Sequence, residues 1–294
     1  MKRNLFFTLL IGILLCSSCQ KQPASLQEVP SQFVVGTTGK IHYKTYGEQS
    51  PTIVFIHGFG CDINAWNEQF PYFAGKNRMV FIDLPGYGKS DKPETAEYSL
   101  DTYADAVKRV LDTLNIQQAV LVGHSLGTPI CRRTVQKYPQ LAAKLCDVDG
   151  VYCFYPTDSA EYTAYKSQIE GFVEMFKDEK QFKQNIAGFV GSLFVPTTPQ
   201  AVKDYATQTM TQTLQPVANS TMSRLVDEKY WDKSVISIPT LVFCSTNSQI
   251  PANYKSIMQS LYSDMKYEEW DSVGHFMMME DPARFNAILE EFLK

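Results

Sequence analysis

The chain is short of the residues that metal and disulfide chemistry require. Its 294 residues include seven cysteines and four histidines, with no CxxC…CxxC arrangement and no HExxH. That argues against a disulfide scaffold and against the usual spacing of a metal centre. A basic excess is missing as well: 27 Lys and Arg stand against 31 Asp and Glu, a net charge of −4. Without a basic stripe, nucleic acid is a poor partner. Internal repeats and low-complexity segments are also lacking. What is present is 44% hydrophobic residues, enough for a packed core and too many for a disordered chain. The length fits two domains, or one α/β domain with an insertion.

The first residues read as an address. Lys2 and Arg3 precede an almost purely apolar run from Leu5 to Leu15. A run of this length is too short for a bilayer, which needs about 20 residues, and matches the core of a signal segment. It ends in LCSSCQK, with Ser17 and Ser18 directly before Cys19. In this it resembles a bacterial lipoprotein signal, although Cys16 stands where such signals carry a leucine-type residue. The resemblance implies loss of residues 1–18 and a lipid on Cys19. That would tie the protein to a membrane of the bacterial cell envelope, facing the periplasm. An ordinary cleaved signal would leave a secreted or periplasmic soluble form instead. Residues 20–30 carry Gln, Lys, Ser and two prolines and read as a tether. The domain proper then covers 31–294. With Cys19 lipidated, the other five mature cysteines cannot all pair, so at least one thiol stays free.

From residue 33 strands and helices alternate. IHYKTYG reads as an exposed antiparallel strand ending at Gly47. TIVFIH (52–57), RMVFID (78–83), AVLVGH (119–124), KLCDVD (144–149) and TLVFCS (240–245) are short apolar runs bounded by turn residues. Between most of them lie helical patterns. One runs from Leu100 to Leu114, with Tyr103, Val107, Val110, Leu111 and Leu114 on one face. Strands that are apolar on both faces and separated by helices describe a parallel sheet covered on both sides. KYEEW (266–270) is a further strand, and PARFNAILEEFL is a closing helix with Pro282 in its first turn. Residues 151–235 break the rhythm. Tyr162, Tyr165, Ile169, Phe172, Val173 and Phe176 follow helical spacing, as do Phe182, Ile186, Phe189, Val190 and Leu193. This reads as an insertion of about four helices.

The strand AVLV runs into Gly123-His124-Ser125-Leu126-Gly127, and a helical pattern follows. A serine at a strand-to-helix junction, flanked by glycines two residues away, is a nucleophile elbow. The strained turn exposes the Ser125 hydroxyl, and side chains at the glycine positions would collide with neighbouring backbone. The N–H of Leu126 points where an oxyanion would develop, above a helix N-terminus. A second donor is the N–H of Phe59 in HGFG (57–60), at the end of an early strand. His57 is read as bracing this loop.

Together, HGFG, DLPGYGKSDKP (83–93), GHSLG and VGHFMMMEDPARF (273–285) resemble the α/β-hydrolase fold family in its capped branch. The resemblance spans most of residues 33–294. It implies a mostly parallel sheet of about eight strands with helices on both faces. A helical cap follows the sixth strand, at about 151–235, and the chemistry is Ser–acid–His without cofactor or metal.

Of four histidines, His42 lies on an early edge strand, and His57 and His124 belong to the oxyanion loop and the elbow. The chain order Ser…acid…His requires a late base, which is His275. The acid departs from the common pattern. The loop after TLVFCS, Thr246-Asn247-Ser248-Gln249-Ile250-Pro251, has no carboxylate. Asp149, at the end of KLCDVD, is the leading candidate, as in some branches of the family. Asn247 and Asp271 are the rivals, and a site with no functional acid is a further alternative. Asp147, on the same strand where an apolar residue is expected, must be paired or lie at a wetter strand end. Glu280 and Asp281 read as caps of the last helix.

Serine at the elbow narrows the chemistry, because epoxide hydrolases and haloalkane dehalogenases of this fold use an aspartate nucleophile. Acyl-enzyme hydrolysis of a small ester is the leading expectation. An amidase or aminopeptidase of the same fold, or a non-catalytic ligand-binding lipoprotein, is the alternative. Glu161, Glu170 and Glu174 in the cap read as its solvent face. Phe154, Phe276 and Cys61 are candidate pocket residues. Tyr152, Tyr155, Phe172, Phe176, Phe189 and Phe194 are read mainly as the cap's own core, and Met277, Met278 and Met279 as core packing. No coiled-coil heptad or long edge strand decides the oligomeric state.

Overall fold

A computed structural model describes residues 22–294, except 151, 154, 157 and 249–252. The signal, Cys19 and the pocket candidate Phe154 therefore lie outside the described residues. Eight strands form one sheet: β1 (Gln32–Gly36), β2 (Gly39–Tyr46), β3 (Ile53–Ile56), β4 (Met79–Ile82), β5 (Ala119–His124), β6 (Ala142–Val148), β7 (Thr240–Ser245) and β8 (Met265–Trp270). Their order is β1-β2-β4-β3-β5-β6-β7-β8. Only the β1–β2 and β2–β4 pairs are antiparallel. Strands β3, β4, β5 and β7 are buried along their whole length, as their unbroken apolar runs require of strands covered on both faces.

The helices are α1 (Phe70–Phe73), α2 (Leu100–Thr113), α3 (Gly127–Lys137), α4 (Ser159–Glu174), α5 (Phe182–Gly191), α6 (Gln200–Met210), α7 (Gln215–Leu225), α8 (Tyr254–Leu261), α9 (Met277–Glu280) and α10 (Pro282–Leu293). Register shows that they cover both faces. Asp147 sits opposite Val242 and Val148 opposite Phe243, so Asp147 and Phe243 point to opposite sides. Asp147 meets Tyr262 at the end of α8, whereas Phe243 packs on Phe285 of α10 with ring centroids 4.8 Å apart. Helices α4–α7 all fall between β6 and β7, in the stretch expected to form a cap. Helix starts follow local chemistry. The Ser99 side chain accepts the Thr102 N–H at α2, and Asp158 accepts those of Ala160 and Glu161 at α4.

Three expectations need correction. QFVVG forms β1 and covers β2, so IHYKTYG is the second strand rather than an exposed edge, with Ile41–Lys44 buried. His42 is consequently fully buried, its Nδ1 2.7 Å from Asp83 and its Nε2 2.8 Å from the Ser31 hydroxyl. The segment read as a tether is docked in part. Leu26 and Val29 are buried, and the Lys44 ammonium donates to the Leu26 carbonyl at 2.7 Å. At the C-terminus Asp281 does cap α10, accepting the Arg284 N–H, but Glu280 does not; its carboxylate turns back toward the Gly274 N–H. The five described cysteines, Cys61, Cys131, Cys146, Cys153 and Cys244, are all buried free thiols.

Asp147 is paired through one oxygen only. Its Oδ2 accepts the Tyr262 hydroxyl at 2.7 Å, and its buried Oδ1 has no described partner. Burial outweighs the help of Tyr262 and the nearby Arg132 guanidinium, and pushes the carboxyl up to about 7. An acid raised in the folded state contributes its full stability below the unfolded carboxyl range and loses it as pH rises toward 7. The loss is roughly 1.4 kcal/mol per pH unit across that window. Asp147→Asn keeps the shape without the charge. In thermal melts it should match wild type near pH 4 and exceed it by several degrees at pH 8. A variant less stable than wild type at pH 8 would contradict this.

Candidate active site

The elbow explains its own glycines. A Cβ on Gly123 would lie 2.4 Å from the Gly127 carbonyl oxygen, and one on Gly127 would lie 2.4 Å from that of Ile56. Only hydrogen fits at either point, so the turn can bring α3 against β3 and β5. Ser125 itself stands at φ 52°, in the left-handed region that costs an L-residue. Its N–H donates to Val148 O at 2.9 Å, and its carbonyl accepts the Thr128 N–H at 3.0 Å. Gly127→Ala should destabilise the fold by roughly 3 kcal/mol, since backbone rather than a side-chain tip must give way. Urea unfolding checks this; a midpoint equal to wild type would contradict it.

The HGFG loop lies against this turn. A Cβ on Gly58 would come within 3.0 Å of both the Ser125 Cβ and the His124 Nδ1. The N–H groups of Phe59 and Leu126 donate to no described carbonyl. His57 is a brace, as read from sequence: its Nδ1–H donates to Gly58 O at 2.8 Å and its Nε2 accepts the Leu84 N–H at 3.0 Å. Complete burial lowers its affinity for a second proton.

His275 follows β8, and its Nδ1 lies 2.6 Å from Asp149 Oδ2. A carboxylate only accepts, so Nδ1 carries the proton and Nε2 keeps its lone pair. Asp149 sits just past β6 at φ 44°, almost wholly buried, with its N–H on Phe243 O at 2.9 Å. Its Oδ1 accepts the Ser245 N–H at 2.9 Å, and its Oδ2 also accepts the Ser248 hydroxyl. The loop at the usual acid position thus supplies donors to a carboxylate on the neighbouring strand. Among the described residues, neither rival acid is hydrogen-bonded to His275. The Asn247 amide donates to the carbonyls of Asp271 (2.7 Å) and Val273 (3.0 Å), and Asp271 is exposed.

Ser125 and His275 line one cavity of about 10 Å³, with Gly58, Phe59, Cys61, His124, Phe189, Leu193, Met210 and Phe276. Space of that size holds about one water. Of the expected pocket residues, Cys61 and Phe276 are there, and burial pushes the Cys61 thiol well up from its usual range. Among the described aromatics of residues 151–235, Phe189 lines the cavity, and Met210 joins it without a sequence signal. Met277 and Met278 pack in the core. His124 is buried, with its ring centroid 4.7 Å from that of His275. Its Nε2–H donates to the His275 carbonyl at 3.0 Å, and burial pushes its pKa well down, so it stays neutral. No acidic side chain lines the cavity among the described residues; Glu161, Glu170 and Glu174 are exposed.

Known proteins share this arrangement of elements. The chain is 25% identical over 252 residues to a pimeloyl-acyl-carrier-protein methyl ester esterase of Aeromonas hydrophila, across 83% of this chain and 96% of that protein. An esterase from Exiguobacterium antarcticum superposes with a TM-score of 0.76 at 19% identity, covering 90% of this chain and 99% of its own. The epoxide hydrolase CorEH superposes with a TM-score of 0.75 at 14% identity, covering 90% and 98%. A family model described as alpha/beta hydrolase fold matches residues 51–282. The chain belongs to the α/β-hydrolase fold family.

Proposed function

We propose that the protein is a serine hydrolase that cleaves a small ester through an acyl-enzyme. One observation carries the reading: Ser125, on a positive-φ elbow, shares a cavity with His275, whose Nδ1 is held 2.6 Å from Asp149. Ser125 Oγ attacks the ester carbonyl while His275 Nε2 takes its proton and passes it to the departing alcohol. Asp149 fixes the tautomer and stabilises the imidazolium. The N–H groups of Phe59 and Leu126 hold the oxyanion. Water then attacks the acyl-enzyme by the same route in reverse. Apart from the histidines, the cavity lining is neutral and largely apolar, which favours an uncharged short acyl group.

Serine at position 125 favours ester over epoxide chemistry, despite epoxide hydrolases among the structural neighbours. Among the described residues no carboxylate lines the cavity to hold a substrate amine, which favours an ester over an aminopeptidase substrate. A non-catalytic carrier loses its only motive once Asp149 partners the base. The same reading takes residues 31–294 as the hydrolase domain, with the cap at about 151–235. Residues 1–18 are a signal and Cys19 a lipid anchor in the bacterial envelope; a soluble secreted form is the alternative. Mass spectrometry of the mature N-terminus separates these two. For the activity, purified protein is assayed on ester, thioester and amide panels with Ser125→Ala as blank. Hydrolysis of short p-nitrophenyl esters supports the reading; no turnover on any panel overturns it.

A further inference from the structure

Three consecutive N–H groups in the loop that carries His275 are taken by one carboxylate and one carbonyl. Glu280 Oε2 accepts the Gly274 N–H at 2.9 Å, and its Oε1 accepts that of Phe276 at 3.2 Å. The N–H between them, that of His275, donates to Leu193 O at 3.3 Å. Leu193 lines the cavity and leads out of α5 in the cap. The cap makes a second link to the same carboxylate: the buried Thr198 hydroxyl donates to Glu280 Oε2 at 3.0 Å and accepts the Val195 N–H at 3.0 Å. A third tie joins the Thr197 hydroxyl to Ser272 O at 3.2 Å.

We propose that Glu280 is a positioning residue for His275, and that Thr198 makes this positioning depend on the cap being seated. The proposal rests on His275 being the base. Charge-assisted bonds to both neighbours of His275 fix the backbone from which the imidazole projects. A cavity of about 10 Å³ cannot hold an ester, so residues around it must move to admit one. Where the segment 193–198 moves with them, the loop loses the Leu193 carbonyl and the Thr198 hydroxyl. The base is then aligned over a closed site and loosened over an open one.

Two variants test this on a short p-nitrophenyl ester. Glu280→Gln puts an NH₂ against a backbone N–H, and Thr198→Val removes the hydroxyl at constant shape. In Glu280→Gln, kcat should fall by about 10- to 100-fold with KM within about 3-fold, the pattern of a misplaced catalytic group. Thr198→Val should lower kcat by about 3- to 10-fold, and the double variant should be no worse than Glu280→Gln, because both act through one contact. Independently of turnover, the low-field proton resonance of His275 Nδ1–H should broaden in both variants. Wild-type kcat with an unchanged resonance, whatever the change in Tm, would overturn the proposal. If Glu280→Gln does not fold, Thr198→Val decides by the same readouts. If wild type hydrolyses no ester, the functional reading fails, while the resonance still tests the positioning role.

Discussion

Ser125→Ala should lower ester hydrolysis by about 10⁴- to 10⁶-fold while leaving the fold intact. The loss is large because the oxygen that forms the acyl bond is gone, and no neighbouring group replaces it. Cys61, also in the cavity, has its thiol held protonated by burial and is a poor substitute nucleophile. What survives is the contribution of the oxyanion donors and of binding. The substitution keeps a Cβ at φ 52°, so alanine carries the same backbone strain that serine does, and Tm should hold within about 3 °C. A drop of only a few-fold would place the nucleophile elsewhere.

Asp149→Asn should lower kcat by about 10³- to 10⁴-fold, with little effect on KM. Ser245 N–H and the Ser248 hydroxyl both donate to this carboxylate, and His275 Nδ1 stands 2.6 Å from it. An amide turns its oxygen to the Ser245 N–H, which aims the NH₂ at His275. Nδ1 must then accept, the proton moves to Nε2, and the imidazole can no longer take the serine proton. Asn247→Ala, by contrast, removes only bonds to the Asp271 and Val273 carbonyls and should cost no more than about 10-fold. Steady-state kinetics of the two variants side by side check the assignment. Equal losses would contradict it.

Much of the sheet was readable because buried parallel strands are continuous apolar runs, and TLVFCS and AVLVGH coincide with β7 and β5. QFVVG escaped notice because it is short and exposes Phe33 and Val35, which reverses the alternation expected of a half-buried strand. Without β1, His42 looked like an edge residue. Ser125 and His275 were legible from their local frames, the elbow and the loop after the last strand. Asp149 was legible through the missing carboxylate in 246–251 together with the resemblance to family branches that carry an acid at this strand end. Its donors were not, because Ser245 and Ser248 reach it through the pairing of β6 with β7, a long-range register with no local signature. Glu280 misled for a related reason. Beside Pro282 it looks like a helix cap, yet the short α9 turns its carboxylate back onto Gly274 and Phe276.

The most direct test of the account is reaction of the folded protein with a fluorophosphonate, followed by peptide mapping. One stoichiometric adduct is expected, on Ser125, absent in Ser125→Ala and formed much more slowly in His275→Ala. No adduct on folded protein, or an adduct on another serine with Ser125 untouched, would contradict it.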